Sequence, residues 1–208
     1  MPFPMAHLYV ARHLATAWPR LNEPSFYLGT LAPDAYVMRA QRDPGDRALA
    51  HLEDADPEQW RKNILRFIKD PARPCGGQFG LGYAAHLLTD WSWGTKVLPR
   101  YGDEQGRMSG EQRNAYVRDM VALDLTLYRE EAGFRAELWP LIRGADSQGL
   151  VGYVSAEEVD LERERTLSWY APRATLAEPS ARLADWMPDL TQACRFTLEG
   201  LSARMRKA

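Results

Sequence analysis

The segment 78–96 constrains the fold of this chain most, because it is helical in pattern and mostly apolar. Within Gly-Leu-Gly-Tyr-Ala-Ala-His-Leu-Leu-Thr-Asp-Trp, residues 80–91, His86 and Asp90 are four positions apart. Residues at that spacing lie one above the other on one helix face. The apolar neighbours leave little polar surface, so we expect both side chains to face the interior. A buried carboxylate is costly unless it is paired or bound to a metal. A zinc-like site and a simple His–Asp hydrogen bond both satisfy that condition.

Helical periodicity also dominates the rest of the chain. Apolar residues recur at spacings of three and four, separated by prolines and glycine-containing turns. The pattern predicts helices over 5–18, 24–40, 57–70, 78–96, 111–131, 134–142, 155–170 and 174–203, with Pro140 breaking the helix at 134–142. Only 149–154 has the pattern of extended chain. We therefore predict an all-α, single-domain multi-helix bundle spanning residues 1–208.

Composition limits the class of protein. The 208 residues are 45% hydrophobic and 26% charged, which is ordinary for a globular domain, and the formal net charge is −2. Such a chain has no strong basic field for a long nucleic acid. Without a signal peptide pattern or an 18-residue apolar window, we expect a cytoplasmic protein with no transmembrane segment. The sequence does not predict the oligomeric state.

The two cysteines, Cys75 and Cys194, lack CxxC spacing. A cysteine-rich zinc site is therefore excluded, and a disulfide framework is not expected. Plain apolar residues or free thiols are the expected roles of both side chains.

Few side chains other than His86 and Asp90 are available for a metal site. The four histidines all lie within the first 86 residues: His7, His13, His51 and His86. His7 and His13 are six positions apart, about 600° of helical rotation, so both cannot point at one site. Asp34 follows Pro33 and is either a ligand, a general base or a turn carboxylate. His51 stands near a turn and is either a ligand or a solvated loop histidine.

Four separated elements occur in a specific order. They are His7, the string Phe-Tyr-Leu-Gly-Thr-Leu-Ala-Pro-Asp (26–34), His-Leu (51–52) and Gly-Tyr-Ala-Ala-His-Leu-Leu-Thr-Asp-Trp (82–91). In order and spacing they resemble the zinc-dependent phospholipase C family. That family is all-helical, and its fold is shared with single-strand-specific zinc nucleases. The resemblance covers roughly residues 5–95.

The resemblance implies a particular ligand set. Asp34, His51, His86 and Asp90 correspond to the ligands of one zinc ion. His7 corresponds to a ligand of a neighbouring zinc, with Asp90 bridging the two ions.

Two departures from the family pattern reduce the expected number of ions. In the family, the second ion is also bound by the amino group and carbonyl of a mature N-terminal residue, exposed when a secretion segment is removed. This chain shows no such segment, and Met1 lies six residues before His7. The family's third ion uses two more histidines and a glutamate downstream, whereas no histidine follows His86. We therefore expect one zinc ion, or two at most.

The function implied by the resemblance is metal-dependent hydrolysis of a small phosphoric ester. Zinc lowers the pKa of bound water to about 7 and so supplies hydroxide that attacks phosphorus. Asp34 either binds the ion or orients and deprotonates the water. Two alternatives stay open: a non-catalytic helical protein with a structural or degenerate metal site, and a nuclease-like phosphodiesterase.

Three further features have expected roles. Asp124 lies on an otherwise apolar helix face and either approaches the site or forms hydrogen bonds across the bundle. Trp91 and Trp93 adjoin Asp90, and one of them is a candidate to line a substrate pocket. The run Glu-Arg-Glu-Arg at 162–165 is expected to be a solvated helix face.

Overall fold

The computed structural model describes residues 2–70, 77–103, 107–173 and 181–205. Within those ranges the chain forms nine α-helices: α1 Pro4–Ala17, α2 Pro24–Leu31, α3 Asp46–His51, α4 Pro57–Lys69, α5 Gln78–Lys96, α6 Gly110–Glu130, α7 Ala132–Gly144, α8 Ala156–Arg173 and α9 Leu183–Met205. Three short 3-10 helices accompany them at Pro19–Leu21, Ala32–Met38 and Leu98–Tyr101. The all-α prediction is confirmed.

Several local predictions are corrected. The short helix predicted within 24–40, starting near Pro24 and Ser25, is α2, and a 3-10 helix follows it at Ala32–Met38. Helix α3 was not predicted, because its six residues are too few to show a helical period. Pro140 lies inside α7 and does not break it. The segment 149–154 is a tight turn closed by an isolated bridge between Leu150 and Val154, not a strand.

Helix α5 lies at the centre of the bundle. Fourteen of its residues are buried, so it has no solvent-facing stripe, as expected for a helix that is apolar nearly all round. It packs against α1, α2, α4 and α9. His86 and Asp90 are therefore placed in the interior by the same apolar residues that bury the helix.

Helices α2 and α5 pack with their backbones in direct contact. Gly29 of α2 faces the backbone of Phe79, and Gly82 of α5 faces the Phe26 carbonyl oxygen. A Cβ atom at either glycine would overlap those backbone atoms. Because neither contact involves a flexible side chain, the two glycines set the separation of α2 and α5.

We expect Gly82→Ala to lower the free energy of unfolding by about 3 kcal/mol or more, the upper end of the cost of overpacking. Gly133 on α7 has no atom within 4 Å of the position of a Cβ. Gly133→Ala is the matched control and should instead stabilise by up to about 1 kcal/mol through helix propensity. Urea denaturation of both variants measures the difference. Equal small effects would show that the helices can separate at little cost.

Asp124 forms hydrogen bonds across the bundle. It is 1% exposed and its Oδ1 accepts from the backbone N–H of Met5, at 2.8 Å, and of Ala6, at 3.3 Å. Its Oδ2 accepts from the Tyr170 hydroxyl. The residue before α1, Phe3, provides no side-chain cap. Asp124 therefore caps α1 from another helix.

Burial raises the pKa of Asp124 to about 7 despite these hydrogen bonds. A raised carboxyl pKa favours the folded state at low pH, and that stability is lost as the pH rises towards 7. Asp124→Asn removes the charge, and its amide oxygen can still accept from Met5 and Ala6. We expect the variant to be more stable than the wild type at pH 8 by up to about 4 kcal/mol, with little difference at pH 4. Thermal unfolding across that range tests this, and a difference independent of pH would contradict it.

The remaining sequence predictions have mixed outcomes. Glu162 is buried, not solvated: it accepts from both Arg165 and Thr166, whereas Glu164 and Arg165 are exposed as predicted. Cys194 is a buried free thiol, and Cys75 lies outside the described residues. Across the described ranges, no helix has the length and apolar character needed to cross a membrane.

Candidate metal centre

The five predicted ligands come together in the interior. His7 comes from α1, Asp34 from the 3-10 helix Ala32–Met38, His51 from the end of α3, and His86 and Asp90 from α5. Four of them are at most 1% exposed, and the Asp34 side chain is 26% exposed. His13 is exposed and its Nδ1 lies 3.2 Å from the Tyr9 carbonyl oxygen, outside the cluster.

His51 is positioned by the anchored end of α3. The last carbonyl groups of a helix lack partners within it. Here the Trp60 indole donates to the carbonyl of His51 at 3.0 Å, and the Tyr83 hydroxyl donates to that of Ala50 at 2.6 Å. Leu52 then turns the chain away in a left-handed conformation, φ 52°. Residues of α4 and α5 therefore fix the end of α3 in place.

Backbone carbonyls determine which ring nitrogen of His51 and His86 faces the centre. His51 Nδ1 lies 3.1 Å from the Arg47 carbonyl oxygen, and His86 Nδ1 lies 2.8 Å from that of Thr30. A carbonyl can only accept, so each Nδ1 carries a proton, and in the neutral form of each ring Nε2 presents a lone pair. The two Nε2 atoms are 3.3 Å apart. This is the usual outer arrangement of metal-binding histidines.

The donor distances fit a small tetrahedral ion. His51 Nε2 lies 3.3 Å from Asp34 Oδ1 and 3.4 Å from Asp90 Oδ2. His86 Nε2 lies 3.6 Å from Asp90 Oδ2. Zinc bonds of 2.0–2.1 Å in tetrahedral geometry separate neighbouring ligands by about 3.3–3.4 Å. His51 Nε2, His86 Nε2 and Asp90 Oδ2 are therefore mutually spaced like ligands of one ion, and Asp34 Oδ1 lies beside this set at His51.

His7 lies on the other side of the Asp90 carboxylate. Its Nε2 is 3.3 Å from Asp90 Oδ1, and its ring stacks on His86 at 3.7 Å between centroids and 2° between planes. Two groups are able to hold a metal ion, each with ligand atoms within 4.8 Å of one another: His7 with Asp34 and His86, and His51 with His86 and Asp90. The geometry accommodates one ion, or two that share ligands.

The Asp90 oxygens have only long contacts. Among the described residues they have no hydrogen bond of ordinary geometry, although the Nε2 atoms of His7, His51 and His86 lie 3.3, 3.4 and 3.6 Å from them. One guanidinium is nearby, since Arg47 Nη2 lies 4.0 Å from Asp90 Oδ2 while Arg47 also pairs with Glu53. Buried polar groups normally have partners, and a bound cation is one group that would satisfy these atoms.

The charged groups of the cluster perturb one another. Burial, reinforced by His86, lowers the pKa of His7 to about 4, so this ring is neutral and able to coordinate at neutral pH. Burial alone raises the pKa of Asp90, but the neighbouring imidazoles of His86 and His7 hold it well below its usual range. Burial lowers the pKa of His86, and the carboxylates of Asp90 and Asp34 more than reverse that effect.

Sequence reasoning missed the groups that orient the ligands. Arg47 and His51 are four apart on α3, the same spacing as His86 and Asp90, but the helix itself was not predicted. Tyr36 packs edge-on against the His51 ring at 5.6 Å. The Thr30 carbonyl has no signal in the sequence, because any residue provides one.

Neither tryptophan beside Asp90 contacts the cluster. Trp93 is buried, stacks on Trp186 and points its indole nitrogen at the Met120 sulfur. Trp91 packs edge-on against Phe196. The expectation that one of them lines the site therefore has no support in the described contacts.

Comparison with known proteins adds no assignment: no family model, curated protein or solved structure matches the chain. The similarity to the zinc-dependent phospholipase C family stays a prediction from the four sequence elements.

We expect zinc to stabilise the protein. A ligand that binds only the folded state adds about 2.7 kcal/mol to the free energy of unfolding when its free concentration is 100 times its dissociation constant. Asp90→Asn should lose most of that gain, because Asp90 lies between both groups of donors. His13→Ala is the matched control and should keep it. Thermal melts with zinc and with a chelator measure the effect. Equal stabilisation of Asp90→Asn would place zinc elsewhere.

Proposed function

We propose that this protein is a zinc-dependent hydrolase of small phosphoric esters, phospholipase C-like with a reduced centre of one or two ions. One observation supports the metal most directly. The Nε2 lone pairs of His51 and His86 face each other at 3.3 Å, with the Asp90 carboxylate beside both. Lone pairs and negative charges converge there in a buried space, an arrangement that a divalent cation stabilises.

The residues divide into those that would bind the ion and those that would orient the ligands. His51, His86 and Asp90 would bind one ion, with Asp34 beside His51 as a further ligand or as the group that orients a bound water. His7 would add a second position beside Asp90. When bound, a zinc ion supplies Lewis acidity and, by lowering the pKa of water, a hydroxide nucleophile at neutral pH. The carbonyls described above keep the two Nε2 atoms directed inwards without any rearrangement.

Asp34 is the donor best placed to act on a substrate. Its side chain is the exposed member of the cluster, so it lies between the buried ligands and solvent. Burial would raise the pKa of Asp34, but His51 and His86 hold it far below its usual range, so the group is ionised at neutral pH. An ionised, partly exposed carboxylate beside the buried ligands can orient an attacking water and accept its proton.

Arg47 adds a positive group beside the cluster. Its side chain is 32% exposed and its guanidinium approaches Asp90 to 4.0 Å. Burial lowers the pKa of Arg47, but the charges of Asp90 and Glu53 raise it overall, so it stays cationic. A cation beside the Asp90 carboxylate favours an anionic substrate such as a phosphate ester.

A structural metal site is the competing function. Four of the five ligands are at most 1% exposed, and a closed four-ligand site is typical of structural zinc. Such a protein would bind zinc and hydrolyse nothing.

One experiment separates these functions. We expect purified protein to contain one or two zinc ions per chain and to hydrolyse members of a panel of phosphomonoesters and small phosphodiesters. His86→Ala and Asp90→Ala should each lose metal and lower turnover by at least about 100-fold. His13→Ala, a change to an exposed histidine outside the cluster, should keep both.

The possible outcomes lead to different conclusions. Bound zinc without turnover on any ester would support the structural function. Cleavage of single-stranded oligonucleotides in preference to small esters would support the nuclease-like alternative. Full metal content in both variants would contradict the metal centre itself.

A further inference from the structure

His7 is oriented differently from the other two histidines of the cluster. His51 and His86 are each fixed by a contact from Nδ1 to a backbone carbonyl. His7 Nδ1 has no such contact among the described residues. Its ring stacks on His86, and its Nε2 lies 3.3 Å from Asp90 Oδ1. The position of His7 Nε2 therefore depends on where the backbone of α1 lies.

The backbone of α1 is fixed just before His7 by Asp124. The two amide groups that Asp124 accepts from belong to Met5 and Ala6, the residues immediately preceding His7. Asp124 is 119 residues from Met5 and 118 residues from Ala6 in the sequence, so these hydrogen bonds connect distant parts of the chain. Hydrogen bonds are directional, so they fix the height and rotation of the first turn, which apolar packing alone leaves free to slide.

Asp124 is itself held in place. Its second carboxyl oxygen accepts from Tyr170 of α8, and the Tyr170 side chain is 1% exposed. Tyr170 stacks on Tyr128 of α6 at 4.8 Å, so the donor cannot readily move. The first turn of α1 is thereby tied to α6 and α8. A negatively charged group at a helix N-terminus also interacts favourably with the helix dipole.

From these contacts we infer that Asp124 is a positioning residue for the metal site. It holds the first turn of α1 so that His7 Nε2 faces Asp90 Oδ1, the position of the second ion. Asp124 orients His7 indirectly, by fixing the backbone of α1. The carbonyls of Arg47 and Thr30 instead orient His51 and His86 by contacting their rings directly. This inference rests on the proposed metal centre. It states that Asp124 affects the position of His7 and not that of the other ligands.

The test measures stepwise zinc affinity of the full chain by competition with a chromophoric chelator. We expect Asp124→Ala to weaken the second ion by about 10–100-fold, the usual cost of losing an outer-shell contact, and to leave the first unchanged. Asp124→Asn should restore the second affinity, because its amide oxygen still accepts from Met5 and Ala6. Ser109→Ala is the control: it removes the cap of α6 and should leave both affinities unchanged.

Three outcomes would overturn the inference. An Asp124→Ala variant that melts at a lower temperature yet binds both ions normally would make Asp124 purely structural. A fall in both affinities by the same factor would show general loosening. A single ion that is unaffected by His7→Ala would show that His7 is not a ligand. A wild-type protein that binds no zinc would instead contradict the proposed function itself.

Tyr170→Phe provides a second test if Asp124→Ala does not fold. This change removes the hydroxyl that donates to Asp124 and leaves the ring in place. We expect a several-fold weaker second ion with the first unchanged, and no change at the second ion would contradict the inference.

Discussion

The repulsion among buried donors at the centre of α5 is the constraint on which the rest of this structure depends. Imidazole nitrogens and two carboxylates lie close together, and four of the five side chains are at most 1% exposed. Such a cluster is unstable unless a positive charge is shared among its members. A divalent cation would satisfy these donors at once. The alternative is protons on the imidazoles, which would let them donate to Asp90.

The surrounding fold keeps these donors together. The backbone contact of α2 with α5 at Gly29 and Gly82 brings the Thr30 carbonyl to His86. The indole of Trp60 and the hydroxyl of Tyr83 fix the end of α3, and with it His51. In this way apolar packing, which has no chemical selectivity, positions a small set of polar atoms accurately.

The sequence predicted the helices well where they are long and amphipathic. The apolar pattern predicted a helix from about residue 78 to 96 or a little beyond, which agrees with α5, and its stacked His86 and Asp90 are buried as expected. The sequence did not predict α3, whose six residues depend on tertiary contacts and not on local pattern. It also placed Glu162 at the surface, because the local pattern does not show that α8 packs with this side chain inside.

The candidate site was predictable to a similar extent. The resemblance to the zinc-dependent phospholipase C family implied three histidines and two aspartates as ligands, and the structure brings these five side chains together. The residues that orient them were not predictable, because Arg47 and Thr30 act through backbone carbonyls and Asp124 acts on backbone amides. Such contacts leave no signature in side-chain identity, so only the folded arrangement shows them.

Anomalous diffraction at the zinc edge, on crystals grown with zinc, tests the central claim most directly. The account predicts a strong peak about 2.0–2.2 Å from His51 Nε2, His86 Nε2 and an oxygen of Asp90. A second, weaker peak beside His7 would match the two-ion form. A zinc-saturated protein with no peak at the cluster, and with Asp90 hydrogen-bonded to a protonated histidine instead, would contradict it.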